Sequence, residues 1–549
     1  MIRYTPQNQL SIELFQHPFE RELDRKNRWV KLAAVIPWDE LAAVYSRKLQ
    51  ANTGRYSVDA RTVIAALIVK HKLKLSDRET VEMVQENIYL QYFCGLKSFT
   101  TKPVFDASLF VDIRKRLGGK EFEAFNELVI EKSETIKPSR ARIKNNNSEK
   151  NHGGNRNKSE NKHKDKGQAK QRQETNQKAG TSKNTSGQTN QAVNQTNQSN
   201  RGTLKLDATV ADQEIKYPTD LNLLNVSREN LERIIGLLYN PETDKAKPRT
   251  YRRKARKEYL NIAKKKRKGK KEMRRGIRSQ LQYVARDLKI IARYLELPDK
   301  QTRTAKLTKR DYWLLETIEK VYEQQLWMYR NKTHRLAQRI VSIFQPHVRP
   351  IVRGKEKNKT EFGSKINVSE VNGFTRIDTF SWEAYNESVD LKKQVENYCR
   401  VYGCYPETVL VDQIYLTREN RKYLKEKGIR TYGKPLGRPV KQPKETAQQR
   451  YKKRKKAAGR NHIEAKFGQG KRGYGLNNIK ARLPETSESW VNAIFFVMNL
   501  TKLLQIAEKY PGFFVPVLDW INFWLERTEK RFEKYFFKAS PQFLLNLAW

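Results

Sequence analysis

The chain is 549 residues long and carries 110 Lys and Arg against 60 Asp and Glu, giving a formal charge of +50 and a pI near 10.0. A surplus of that size favours polyanionic partners and excludes a protein built to hold cationic ones. The length suffices for about two to four domains with a buried core, and an aromatic content of 10% excludes a wholly disordered chain.

Residues 1–137 read as an all-helical domain. Apolar residues recur at helical spacing in VDARTVIAALIVKHKL and again in SDRETVEMVQENIYLQYFCGL, where Ser76 and Glu79 form a capping-box pattern. A second helical pair is expected over 106–130. Short helices joined by tight turns fit a helix-turn-helix that reads a major groove, and they fit a plain bundle equally well. The opening MIRYTPQNQLSIELF lacks the apolar stretch of a secretory signal, and Cys94, Cys399 and Cys404 have no zinc-ribbon spacing. Both features indicate a reducing cytosol.

Residues 138–202 read as a disordered linker. Between 151 and 200 there are eighteen Asn or Gln, no aromatic residue and one large aliphatic, Val193, too little apolar surface to offset the entropy of ordering. A catalytic domain is expected over 203–510. It opens with the alternating strand LKLDATV and continues, from about 221 to 345, with a helical insertion. Within the insertion, 251–275 holds fourteen Lys or Arg and two Glu. One sign dominates too strongly for a salt-bridged face, so Arg252, Arg253, Lys254, Lys265, Lys266 and Arg267 are candidate contacts to a DNA backbone. Strand signals return in HVRPIVRG and in FGSKINVSEVNGFTRIDTFSW, whose Asn372-Gly373 pair predicts a tight hairpin. A helix over 386–402 leads to the strand TVLVD. The expected core is therefore α/β: a mixed five-stranded sheet with flanking helices and a helical insertion between its first two strands. The apolar region 490–525 is interrupted by Lys502, Glu508, Lys509, Pro511, Pro516 and Asp519, which makes it core helix rather than membrane span. A C-terminal helical segment is expected over 511–549.

Three acidic residues stand out in this basic background. Asp207 lies in LKLDATVA, Asp412 in TVLVDQIYL and Glu464 in RNHIEAKFGQGKRGYGL. Strand-Asp, strand-Asp, helix-Glu is the order in which nucleases with a ribonuclease-H-like (RNase H-like) core present carboxylates to divalent metals. Phosphodiester cleavage needs an activated water, a stabilised phosphorane charge and a neutralised leaving oxygen, and two Mg²⁺ ions supply all three. Hard oxygen ligands suit Mg²⁺, with Asp207 bridging two ions and Asp412 and Glu464 each holding one. Arg460 stands one helical turn before Glu464 and Lys471 about two turns after, so a continuous helix places all three on one face. Gly468, Gly470, Gly473 and Gly475 weaken that helix and leave a loop position for Lys471 open. A simple i,i+4 ion pair between Arg460 and Glu464 is the plainer alternative.

The spacing Arg460, three residues, Glu464, six residues, Lys471 resembles the signature around the third acid of DDE transposases from bacterial insertion sequences, in the superfamily named for IS four and IS five. The segments LKLDATVADQEIKYPTDLNLLN, SIFQPHVRPIVRGK, SWEAYNE, VLVDQIYLTRENR and FGQGKRGYGLNNIKARLPET are similar to that family's core, and RWVKLAAVIPWDELAAVY through QYFCGL to its N-terminal domain. That family carries Tyr three positions before the Arg, where this chain has Ala457. The resemblance implies a transposase that binds the inverted-repeat ends of double-stranded DNA as a homodimer. It would cleave with Mg²⁺, or Mn²⁺ in its place, two ions per active site, and join the 3′ ends to target DNA. It further implies Asp207, Asp412 and Glu464 as catalytic metal ligands. Arg460, Lys471 and Arg472 would be DNA contacts, with no membrane partner and a cytoplasmic, nucleoid-associated location. Two alternatives are a catalytically silent DNA-binding descendant and an RNase H-like nuclease without strand transfer.

Overall fold

The computed structural model describes residues 4, 6, 22–49, 56–137, 199–352, 360–437 and 446–510. The expected linker, apart from 199–202, and the C-terminal segment 511–549 lie outside these residues.

The N-terminal region is helical, as its periodicity predicts. Helices Arg28–Val35, Trp38–Ser46, Ala60–Leu73, Asp77–Glu86, Ile88–Phe93, Leu109–Arg116 and Gly119–Ile136 follow one another closely. The Ser76 capping box forms: the Ser76 hydroxyl accepts from the Glu79 N–H at 3.2 Å, and the Glu79 carboxylate accepts from the Ser76 N–H at 2.6 Å. These helices share one hydrophobic core with the helix Pro484–Ala507. Phe125 and Phe496 meet at 5.2 Å between ring centroids. That last helix is long and apolar enough to cross a membrane, yet 72% of its most apolar window is buried inside the fold, as the expected core position requires.

Asn499 fastens the helix to the sheet. Its Oδ1 accepts from the Thr375 N–H at 2.9 Å, and its Nδ2 donates to the Thr375 carbonyl at 2.7 Å and to Asn126 Oδ1 at 2.8 Å. One buried amide therefore joins the last helix, a strand and the helix Gly119–Ile136.

The sheet is mixed and, among the described residues, has six strands where five were expected. They are β1 (Thr203–Asp212), β2 (Arg349–Val352), β3 (Thr360–Val371), β4 (Phe374–Ser381), β5 (Thr408–Leu410) and β6 (Arg430–Thr431). Their order is β2-β3-β1-β5-β6, with β4 also on β3. β1, β5 and β6 run parallel, whereas β3 is antiparallel to β1, β2 and β4. The extra strand is the two-residue β6, which pairs parallel with β5; the twelve-residue β3 pairs along its outer edge first with β2, through Thr360–Gly363, and then with β4. Between β3 and β4, Asn372 and Gly373 take φ of 53° and 92°, the left-handed pair of the predicted hairpin turn. Gly363 allows β3 and β1 to approach, because a Cβ there would sit 1.9 Å from the Ala211 carbonyl oxygen.

Alternation along β1 sets its two faces. Leu204 and Leu206 enter a core with Val395, Val409 and Tyr415, so Lys205 and Asp207 point to the other side. The insertion between β1 and β2 consists mainly of helices Asp220–Leu238, Arg252–Ala263, Lys270–Glu296 and Lys309–Arg330. It has its own apolar core, in which Leu231, Ile235, Val284, Ile291 and Ile318 are buried.

Candidate active site

Asp207 sits mid-strand on β1, and Asp412 lies two residues past the end of β5. The parallel register pairs Thr203 with Thr408 and Lys205 with Leu410. Asp207 and Asp412 each lie two residues beyond the last of these pairs. Asp412 then caps a short 3₁₀ turn, Gln413–Tyr415, its Oδ1 accepting from the Gln413 N–H at 2.7 Å.

Glu464 is in the first turn of the helix Asn461–Tyr474, which follows a 3₁₀ turn, Ala458–Arg460. The helix runs unbroken through Gly468, Gly470 and Gly473 and ends at Gly475, φ 73°. Lys471 is thus in a helix and not in a loop. Arg460 joins two of the three acids, with one guanidinium nitrogen 3.1 Å from Asp207 Oδ2 and another 2.6 Å from Glu464 Oε1. The plain i,i+4 pair exists, but the same cation also reaches across to β1. Asp207 is largely buried, at 15% side-chain exposure, and Glu464 is open to solvent at 50%. Among the described residues no three His, Cys, Asp or Glu side chains converge closely enough to cage a metal ion.

Lys471 is engaged elsewhere, 3.4 Å from Asp212 at the end of β1 and 3.3 Å from Glu361 on β3. The neighbouring Arg472 is exposed. On the insertion, Arg252, Arg253, Lys254, Lys265, Lys266 and Arg267 are all exposed. Arg252 touches Glu232 at 3.5 Å while remaining 80% exposed, and Lys265 pairs with Glu272 at 2.6 Å. The structure therefore brings together Arg460, Asp207 and Glu464, places Asp412 just past the end of β5, and carries the basic block on the helix Arg252–Ala263 and the segment that follows it.

Two features escaped the sequence reading. The first is a buried polar network next to the two aspartates. Tyr415 donates to Asn367 Oδ1 at 2.7 Å, which also accepts from Gln394 at 3.1 Å. Asn367 Nδ2 donates to Asp390 at 2.9 Å, and Asn420 Nδ2 donates to the Tyr415 and Ser388 carbonyls at 2.8 and 2.7 Å. Asn367 is the β3 partner of Ala208, one residue from Asp207, while Tyr415 closes the turn that Asp412 opens. Burial pushes the Tyr415 hydroxyl well above its ordinary value, and the Glu387 and Asp207 charges add to the shift. No sequence pattern distinguishes Asn367 from a solvent-facing strand residue.

The second feature is the helix Ala447–Ala457, which carries six Lys or Arg and buries no residue. Its signal, the run RYKKRKK, was visible in the chain. The helix leads directly into Arg460, and Lys456 lies 5.6 Å from the centroid of the Tyr432 ring.

Comparisons with known proteins give two family matches. Residues 409–501 match the family model described as Transposase DDE domain, and residues 17–116 match Transposase domain (DUF772). The two matches support a DDE transposase of an insertion sequence. Asp412, Arg460, Glu464 and Lys471 fall within the first match, whereas Asp207 lies outside both. An uncharacterized protein, ORF8 in the nfe locus of Rhizobium meliloti, is 33% identical over 122 residues, 22% of this chain. The matched segment spans 57% of that relative's length. No solved structure matches.

Proposed function

We propose that the chain is a transposase of the IS four and IS five superfamily that binds the inverted-repeat ends of an insertion sequence, cleaves there and joins the 3′ ends to target DNA. In this reading the sheet is an RNase H-like core, two copies act together on DNA, and the protein works in the cytoplasm at the nucleoid. What supports it is the ion-pair link from Arg460 to Asp207 on β1 and to Glu464 on the helix Asn461–Tyr474, with Asp412 just past the end of β5, the parallel neighbour of β1.

The donor set fits a hard divalent cation. Carboxylate oxygens are its preferred ligands, and a positive guanidinium already lies between two of these carboxylates. Asp207, Asp412 and Glu464 would hold two Mg²⁺ ions, or Mn²⁺ in their place, which supply activation of the attacking oxygen and charge stabilisation at phosphorus. Asp207 on a strand and Asp412 at a capped turn are held by backbone hydrogen bonds, so two ligands are fixed before DNA arrives. Glu464, more exposed and on a longer side chain, completes the set from the helix. Arg460, once it leaves the carboxylates, offers a planar fork of donors to a phosphate oxygen.

The test uses duplexes carrying the element ends. Asp207→Asn and Asp412→Asn are expected to lose cleavage by at least about a thousandfold with duplex affinity unchanged. Loss of affinity in step with cleavage would make the two acids structural and sink the proposal.

A further inference from the structure

The helices Ala60–Leu73 and Asn461–Tyr474 end beside one another, and an open cleft of about 430 Å³ lies between their C-termini. Lys70, Lys74, Lys471, Arg472 and Lys480 line it, and no carboxylate does. Lys70 is paired with Asp77 at 2.8 Å, and Lys471 with Asp212 and Glu361. Lys74, Arg472 and Lys480 are exposed, and among the described residues none of them forms an ion pair. Two helix C-termini account for about one negative charge between them, which leaves a clear positive excess. The wall also holds a buried polar group without a partner. His71 is 2% exposed and packs edge-on against Trp490, and its Nε2 has no hydrogen-bond partner among the described residues. Lys70 and Lys74 come from the segment matching one transposase domain, Arg472 and Lys480 from the segment matching the other. The cleft exists only because the two pack together, with the Lys74 ammonium donating to the Arg472 carbonyl at 3.1 Å.

We infer that this cleft seats a backbone phosphate of duplex DNA and thereby carries the duplex from the N-terminal helical region to the candidate active site. The inference rests on DNA as the partner. Arg472 follows Glu464 by eight residues, about 12 Å along the helix. At about 3.4 Å per base pair, the seated phosphate lies some three to four base pairs from the position facing Glu464.

The experiment measures element-end duplex binding by fluorescence anisotropy over a salt series without divalent metal, so that cleavage plays no part. The triple variant Lys74→Gln, Arg472→Gln, Lys480→Gln is compared with the unaltered full chain. Each lost phosphate contact removes about 0.9 from the slope of log affinity against log salt, so a fall of about 0.9 is expected for the one seated phosphate. An unchanged slope overturns the inference. Saturable binding of inorganic phosphate, lost in a variant whose duplex slope is unchanged, would make the cleft a free-anion site and also overturn it. A second probe does not depend on the triple variant folding: Lys480→Cys should form a disulfide with a duplex bearing a thiol tether three or four base pairs from the cleavage position. Cross-linking no greater than that of the unsubstituted chain contradicts the cleft. If the unaltered chain binds no duplex at all, the reading of DNA as partner fails instead.

Discussion

Asn367 offers a way to disturb the candidate site without replacing Asp207, Asp412 or Glu464. It is fully buried on β3, one residue from the register partner of Asp207, and its amide oxygen receives the Tyr415 hydroxyl at 2.7 Å and Gln394 at 3.1 Å. Tyr415→Phe removes one of these donors and orphans nothing, because Asn367 keeps Gln394, so the expected cost is about 0.5–1.5 kcal/mol. Asn367→Leu is different. It strands the buried Tyr415 hydroxyl and takes from Asp390 a donor at 2.9 Å, leaving Asp390 with the Tyr385 hydroxyl at 2.8 Å. One or two unsatisfied buried groups cost on the order of 2–4 kcal/mol. Part of that strain is relieved by moving the Gln413–Tyr415 turn, and with it Asp412. A shift of about 1 Å in a catalytic group can cost a hundredfold in rate. Single-turnover cleavage of an element-end duplex should therefore fall about 30- to 100-fold in Asn367→Leu and less than tenfold in Tyr415→Phe, with duplex affinity unchanged in both. A folded Asn367→Leu protein that cleaves within twofold of the unaltered chain would refute the argument that this network positions Asp412.

Replacing Arg252, Arg253, Lys254, Lys265, Lys266 and Arg267 by Gln should lower the salt slope of duplex binding by about 4 to 5, since among the described residues only Arg252 and Lys265 of the six have a carboxylate partner; an unchanged slope would make the block a solvated face. Asp287 governs a pH dependence within the insertion. It is fully buried, and among the described residues neither carboxylate oxygen has a hydrogen-bond partner. Burial first and the Glu232 charge second push its pKa up to about 8, against the pull of Arg228 and Arg286. Because this folded value lies above the unfolded one of about 3.9, the folded chain retains a proton that the unfolded chain releases, so stability falls as pH rises from about 4 to about 8. Asp287→Asn should remove a penalty on the order of 5 kcal/mol, seen as a gain in melting temperature that widens between pH 5 and pH 8. Parallel melting curves across that range would contradict the assignment.

Local chemistry was legible in the chain because it is written in short patterns. LKLDATV alternates and forms β1, Asn372-Gly373 turns the hairpin, and Ser76 with Glu79 caps a helix, each decided within a few residues. The order of Asp207, Asp412 and Glu464 was visible for the same reason. The link from Arg460 to Asp207 was not, because it spans 253 positions and depends on how a helix lies across a sheet. Asn367, Tyr415 and Asn420 were equally hidden: polar residues in a strand and a turn read as exposed until packing closes over them. The sixth strand escaped because β6 is only two residues long, Arg430–Thr431, too short to leave a pattern in the chain. At Lys471 the glycines argued for a loop, yet helical packing prevailed: Ile463, Phe467 and Tyr474 are buried on the inner face, and tertiary contacts routinely override propensity.

The most direct test of the central claim is a strand-joining assay. Purified full-length protein, labelled element-end duplex, target DNA and Mg²⁺ are incubated, with Glu464→Gln in parallel. The account predicts cleaved and joined products from the unaltered chain alone, with both proteins binding the ends equally. Equal binding with no product from either protein, on correctly chosen ends, would contradict a catalytic role for Asp207, Asp412 and Glu464.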